Sequence, residues 1–522
     1  MKRNKILLWS LIIALPMLAS VMGCKKFLDR QPLTATLNDL NQGTLEAQSF
    51  GLYSTLRYAG FSTLPWIDFH SIRDDDAQKG SSTTDGAEIN TEFETFQYSK
   101  DDWAPNTYWN DHYTMINLAN KEIYFADSLK LTDPASLRNV GEALFFRAYS
   151  FLELAKTYGD VPLINFYYTK ATDGIKPKSP VAAIYAQIDA DLTKAAAYLP
   201  VNWVVGGIDI YPGRLTKGAA NTLWAQAYLY RQNWAQVVSL CNQVIASGQY
   251  SLLTNFTDIW KDGLNGTGKN SKESIFETQM VVGQNGTPNL SAQWATSQNV
   301  RQGGATNVWN LGWGWNTPTQ KLETAWDNAD PRKRQTILYS GQYDGGPAQG
   351  GYGATLPVYA PGSSLDQSYW NKKVYSDPQM RQYTGQIFGS GGADWINHRI
   401  LRYADVILML AEASNELGDG ANAAINLEKI RWRASGNLVP QATRTIVPPI
   451  VFVDKAQMRA AIKNERRWEF AMEGYRFYDL VRWGDAITEL GGLGYTNRCR
   501  FYPIPQKAIA LSGGVLVQNP EW

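Results

Sequence analysis

Between Tyr108 and about Ile245 the apolar side chains return every three or four positions, a spacing that commits this stretch to amphipathic helices lying against one another. Trp109, Tyr113, Ile116 and Ile123 make one stripe, and Val140, Leu144, Ala148, Phe151 and Ala155 make the next. Later stripes are Val181, Tyr185, Ile188, Leu192, then Ala220, Leu223, Ala227, Tyr230, then Trp234, Val238, Cys241, Ile245. Asp133 before Pro134 and Ser179 before Pro180 each put a side-chain acceptor at an N-cap and a proline at the first helical position. Two helices approach closely only where side chains are small, and Ala219, Ala220, Ala225 and Ala227 supply such contacts beside large aromatics. The pattern predicts antiparallel helix pairs stacked as in a tetratricopeptide array, with a loose register of roughly 34 residues.

From about Asn255 to Asn397 the texture changes to Gly, Asn, Gln, Ser, Thr, Trp and Tyr, and Arg301 is the one charged residue between Val281 and Gln320. Glu273 to Met280 can pair as a strand, whereas Gly341 to Gly353 is too rich in glycine for a packed element. Helices are expected to resume at His398, with Tyr403, Ile407, Leu410 and Ala411 in one stripe and Gly418 as the C-terminal cap. Ala424, Leu427 and Ile430 make a further stripe. A last long helix is expected from Asp454, with Gln457 completing the cap, through Phe470. The expected fold is mostly α. Its helical region 24–254 and second helical region 398–522 flank a loop-rich aromatic insert, 255–397, in one interlocked unit. Loops on a rigid scaffold are where binding residues gather.

Composition narrows the chemistry. Lys plus Arg total 49 against 48 Asp plus Glu, so no net field draws the chain to nucleic acid. His70, His112 and His398, with Cys24, Cys241 and Cys499, lie too far apart in sequence for a zinc motif. The surplus is in 19 Trp, 28 Tyr and 44 Gly, and a function has to use it.

Lys2, Arg3 and Lys5 precede an uncharged run from Ile6 to Gly23, followed by Cys24. That is a secretory signal over 1–23, interrupted by Pro16. Val21, Met22 and Gly23 before Cys24 resemble the bacterial lipobox, which implies that Cys24 is acylated and begins a slightly acidic mature chain. Cys241 falls on a helix stripe and is expected to be a buried thiol, so no disulfide framework is expected.

Oligosaccharides present hydroxyl rims and flat C–H faces, and are held by aromatic platforms with amides and carboxylates around them. The insert has that composition. Trp260, Trp294, Trp309, Trp313, Trp315, Trp326, Trp370 and Trp395 are interleaved with Asn and Gln. Trp313 and Trp315 flank Gly314, so their rings are expected to be unshielded, whereas Trp326 lies in a helical stretch and is expected in the core.

Several long stretches carry a family resemblance. They are CKKFLDRQP (Cys24 to Pro32), YWNDHYTMINLANKEI (Tyr108 to Ile123), EALFFRAYSFLELAKTYGDVPLI (Glu142 to Ile164) and GWGWNTPTQKLETAWDNADPRKRQTI (Gly312 to Ile337). HRILRYADVILMLAEASNELGD from His398, NERRWEFAMEGYRFYDLVRWGD from Asn464 and YPIPQKAIALSGG from Tyr502 complete the set. In these the chain resembles the SusD/RagB lipoproteins, nutrient-binding subunits of Bacteroidetes outer membranes. The resemblance implies about eight tetratricopeptide-like helices and a partner, a SusC-type TonB-dependent outer-membrane transporter over which the protein sits as a lid. It also implies attachment to the membrane through the lipid anchor, at the outer membrane and facing the cell exterior. In starch-binding members a tryptophan and an asparagine just before the first long helix contribute to the sugar site, and Trp103 and Asn106 fall in that place.

Asp74, Asp75 and Asp76 resemble the acidic stretch near the same rim, where Asp75 would accept sugar hydroxyls. Clustered carboxylates can also hold Ca²⁺, though a solvated turn is the commoner outcome for such a run and no cofactor is otherwise expected. The charged segment Asn464 to Trp483 is expected to supply inter-helix salt bridges rather than catalysis. The expected ligand set is therefore Trp103, Asn106, Trp309, Trp313, Trp315 and Asp75, in a non-catalytic protein that passes oligosaccharide or polysaccharide to its transporter. A RagB-like peptide-binding role is the alternative. A glycoside hydrolase would need two carboxylates about 5 to 9.5 Å apart across a cleft, one of them in an apolar pocket, and nothing in the sequence places such a pair.

Overall fold

Each long helix forms where a stripe of apolar residues coincides with a residue able to satisfy the first free amides. The computed structural model describes residues 44–264, 266–282, 290–302, 308–363, 365–383, 394–436 and 444–522. The signal segment, Cys24 and the stretch to Pro32 lie outside the described residues. The chain divides into a first unit, Met1–Gln48, of which residues 44–48 are described, and a second, Ser49–Trp522.

The long helices are α1, Leu45–Thr55, α2, Trp103–Ser128, α3, Pro134–Tyr158, α4, Val181–Tyr198, α5, Lys217–Tyr230, and α6, Trp234–Ala246. After the insert come α7, Tyr403–Glu416, α8, Gly420–Ala434, α9, Lys455–Glu469, and α10, Arg476–Trp483. The fold is mostly α, as the periodicity and the resemblance both implied. Sequential helices pack in pairs, α2 on α3, α3 on α4, α5 on α6 and α7 on α8. Ala219, Ala220, Ala225 and Ala227 on α5 are completely buried, which is the close contact their size permits.

The caps explain most of the boundaries. Asp133 Oδ1 accepts from the amides of Ala135 (3.1 Å) and Ser136 (3.0 Å), and α3 ends at Gly159 with φ +76°. Asp454 accepts from the Gln457 amide at 2.8 Å and starts α9. Gly418 follows the end of α7 with φ +89°. Ser179 does not cap α4. Its own amide donates to the Val161 carbonyl in an isolated bridge, and Asp160 reaches across to take the Val181 amide at 2.8 Å. The second helical region also begins later than its stripe suggests, because 398–402 is drawn into a sheet before α7 can start.

Eight short strands make four antiparallel pairs among the described residues. They are β1, Ala77–Gly80, β2, Val204–Val205, β3, Ile208–Asp209, β4, Ser274–Thr278, β5, Trp315–Pro318, β6, Ile337–Tyr339, β7, Tyr369–Asn371, and β8, His398–Arg402. β1 pairs with β5 (Gly80 opposite Trp315), and β4 pairs with β8 (Thr278 opposite His398). The remaining pairs are β2 with β3 and β6 with β7. Two of these ladders therefore stitch the insert to the helical regions before and after it. One apolar core completes the attachment, joining Leu322, Trp326 and Ile337 of the insert to Ala77, Ala471 and Met472, while another holds the insert together around Val300, Leu311, Leu338, Leu356 and Trp370.

Candidate ligand-binding surface

The acidic run Asp74 to Asp76 is neither a solvated turn nor a free rim. All three residues are buried. Asp74 Oδ1 accepts from the amides of Asp76 and Ala77, both at 2.8 Å. Asp75 is paired with Arg476 (2.9 Å) and Lys321 (2.6 Å), and Asp76 with Arg467 (2.5 Å). The Arg476 and Lys321 donors outweigh the burial that would raise it and hold Asp75 low, at about 2. Its oxygens are spent on Arg476 of the C-terminal helices and on Lys321 of the insert, so Asp75 serves as a clamp here. Among the described residues no three His, Cys, Asp or Glu side chains gather in a way that could hold a metal ion.

The segment from Asn464 to Trp483 does what ion-pair chemistry suggests. Glu469, completely buried, meets Arg402 (3.2 Å), Arg433 (2.5 Å) and Arg332 (3.1 Å), while Glu273 takes the other sides of Arg402 (2.7 Å) and Arg433 (2.8 Å). Three guanidinium groups keep the Glu469 carboxyl far below the ordinary carboxylate range against the opposing effect of burial.

Most of the insert's tryptophan surplus is packing. Trp260, Trp294, Trp315, Trp326, Trp370 and Trp395 are all buried, Trp326 as expected. Trp315, expected to be open, is 4% exposed. The Lys79 ammonium lies 5.1 Å above its ring, and Gly86 lies close against it. The neighbouring glycines permit close approach rather than exposure. A Cβ on Gly312 would collide with the Thr296 carbonyl, and Gly314, at φ +77°, would bring one to 2.9 Å from the Trp370 ring. Trp313 and Trp309 are half-buried and keep an open side. Trp309 lies parallel to Tyr375, with centroids 6.5 Å apart.

Trp313 sits beside a polar rim that the sequence did not assign. The Arg301 guanidinium donates to Asp85 at 2.5 Å and to the Ser81 hydroxyl, and contacts the Trp313 carbonyl at 3.5 Å. Both members of the ion pair are partly open to solvent. Ser81 in turn donates its amide to the Gly314 carbonyl at 2.7 Å, so the turn after β1 and the Trp313 turn are fixed together. Lys79 is locked below by three carbonyls, Gly80, Ser82 and Asp85, at 2.9 to 3.0 Å. The single usable signal in the sequence was Arg301, one charge in a long uncharged stretch. Nothing local marked Asp85 or Ser81 as its partners.

Trp103, the first residue of α2, is 45% exposed. Asn106 one turn on donates one amide N–H to the Asp102 carbonyl at 2.6 Å, which leaves its amide oxygen and second N–H for a ligand. Buried carboxyls near this helix start are protonated more readily than usual. Asp68, buried beneath, is raised well above the carboxylate range by burial and by Asp102, Glu92 and Glu88, with Lys79 opposing. Glu92 is pushed up to about 7 by burial and Asp102. An open indole, a paired guanidinium and carboxylate, and a hydroxyl thus stand together at the Trp313 turn, while Trp103 and Asn106 present an indole and an amide at the start of α2. Such a set stacks on apolar ring faces and hydrogen-bonds hydroxyls without net charge, and it contains no activated nucleophile.

A helical-repeat scaffold holding such a surface defines a ligand-binding protein. The comparisons place it more closely. Residues 272–498 match the model of the SusD family, and residues 61–229 match a second model described as starch-binding associating with outer membrane. A SusD-like protein of Formosa agariphila, P2, is 25% identical over 473 residues, 86% of each chain. A SusD-like protein of Bacteroides ovatus is 25% identical over 507 residues, 91% of this chain and 82% of that one. Among solved structures, a laminarin-binding SusD-like protein superposes with a TM-score of 0.71 at 25% identity, covering 92% of this chain and 99% of that one. Surface glycan-binding protein A of Bacteroides thetaiotaomicron, in complex with laminarihexaose, superposes with a TM-score of 0.71 at 21% identity, covering 91% and 98%. The chain belongs to the SusD/RagB family.

Proposed function

We propose that the protein is a non-catalytic outer-membrane lipoprotein, anchored through Cys24, that captures neutral oligosaccharides and delivers them to a SusC-type TonB-dependent transporter. The observation that carries the reading is the half-open Trp313 ring held beside the Arg301–Asp85 pair, with a further exposed indole, Trp103, at the start of α2. Ring stacking supplies affinity, and the ion pair presents a donor and an acceptor to adjacent hydroxyls while adding no charge. Relatives described as laminarin-binding, or solved with laminarihexaose, support a glucan as the first ligand to test.

Titration calorimetry with laminarihexaose and a panel of neutral oligosaccharides tests this directly. Trp103→Ala and Trp313→Ala should each weaken binding about tenfold, equivalent to about 1.4 kcal/mol. No reducing sugar should be released during the titration. Binding of oligopeptides in place of every glycan tried would move the protein to the RagB-like peptide role.

A further inference from the structure

A second concavity, of about 700 Å³, opens between the ends of α3 and α5, the start of α4, helix α10 and the segment at Arg500 and Phe501. It is built unlike the Trp313 region. Four cations line it, Lys156, Arg231, Arg482 and Arg500, and no carboxylate does. Three of these charges are compensated by carboxylates behind the lining, Asp189 for Arg231, Glu153 for Lys156, and Glu412 with Asp479 for Arg482, which leaves donors facing the cleft and Arg500 as its uncompensated cation among the described residues. Aromatic faces stand between the cations.

Three of the four are held from behind. Arg231 makes a two-pronged pair with Asp189, both contacts at 2.7 Å, and lies 4.8 Å from the Tyr185 ring centre. Arg482 Nη2 donates to Glu412 at 2.8 Å and its guanidinium lies 4.8 Å from the Trp483 ring centre. Lys156, its side chain nine-tenths buried, gives one N–H to Glu153 at 2.7 Å and sits 4.5 Å over Tyr478. Its other two donors have no acceptor among the described residues. Arg500 is exposed, rests against Phe501, and has no carboxylate partner among the described residues. A free guanidinium and an under-used buried ammonium thus share the lining of one aromatic-walled cleft.

We infer that this cleft is a second binding site, for a saccharide carrying an acidic group, a uronate carboxylate or a sulfate ester. Arg500 takes the anion, Lys156 supplies donors on the floor, and the Tyr185, Tyr230 and Trp483 faces receive the sugar ring. Carboxylate and sulfate present the same acceptor chemistry to a guanidinium. The site is separate from the Trp313 rim and does not depend on the neutral-glycan reading.

Titration of the full soluble chain with a galacturonate tetrasaccharide, its fully methyl-esterified form and a sulfated neutral tetrasaccharide tests it. At least one anionic ligand should bind roughly tenfold more tightly than the ester, with the preference falling as salt rises. Arg500→Ala should erase the preference, and because Arg500 is exposed this variant keeps the fold, checked by its unchanged melting curve. Trp313→Ala should leave the preference intact while weakening neutral glucans. Preference for the uronate arm or for the sulfated arm names the anion. The inference is overturned by equal affinity for the charged and esterified ligands, by a preference that survives Arg500→Ala, or by one that is lost in Trp313→Ala.

Discussion

Asp68 is the residue whose chemistry is furthest from what its sequence position suggests. It is completely buried, begins a π-helical turn, Asp68–Ile72, and neither carboxyl oxygen has a hydrogen-bond partner among the described residues. Burial and its acidic neighbours keep it protonated well above the usual range. In the unfolded chain the same group ionises near pH 3.9. As pH rises past that value the unfolded state releases a proton that the folded state retains, so stability falls until the folded group also ionises. Asp68→Asn removes this penalty, and should stabilise the protein by about 1 to 3 kcal/mol at pH 8 with little effect at pH 4. Urea midpoints of the two proteins at both pH values check it, and equal differences at the two pH values would show that Asp68 ionises normally. Sequence reasoning had no access to this residue. An aspartate among Trp66, Ile67 and Phe69 gives no clue to its acidic neighbours, Asp102, Glu92 and Glu88, which lie 20 to 34 positions further on.

At the scale of elements, the helices were legible because caps and stripes are local. Asp133 and Asp454 cap where their spacing said they would. Ser179 failed for a non-local reason, the bridge to Val161, and β8 was hidden because its apolar residues run without a break into the stripe of α7. The Trp313 turn shows the same limit. Its glycines were read as opening two rings to solvent, whereas each makes room for a neighbour. Gly314→Ala would carry a Cβ at φ +77° into contact with Trp370 and, at 3.2 Å, with the Cβ of Arg301. A destabilisation of about 1 to 3 kcal/mol is expected, with glucan affinity falling alongside it because both Trp313 and Arg301 move. Melting curves and titrations on the same preparation measure both, and a stable variant with unchanged affinity would detach the turn from the site.

For the whole molecule, the insert is tied into the helices by charge as much as by apolar packing. Arg332 comes from the insert, Arg402 from β8 and Arg433 from α8, and all three converge on Glu469 of α9. Removing one partner from such a buried group strands the others, so Glu469→Ala should lose about 3 to 5 kcal/mol. Unfolding followed by tryptophan fluorescence and by far-ultraviolet circular dichroism should still coincide in one transition. Two separated transitions would mean that the insert and the helical regions unfold independently. The family segments made the parts recognisable in sequence, but the guanidinium partners of Asp75 and Asp76 could not be read there, because they stand some four hundred residues away on α9 and α10.

That separation also sets a clock. Arg467 follows Asp76 by 391 positions, and Arg476 follows Asp75 by 401. At a synthesis rate of about 5 to 20 residues per second the two aspartates wait on the order of 20 to 80 s for their guanidinium partners to be made. Until then Asp76 cannot be buried without stranding its charge and Asp75 has Lys321 alone, and the segment carrying Arg73 and the π-helical turn has no finished place to pack. The clamp thus delays completion of the fold until nearly the whole chain has been released.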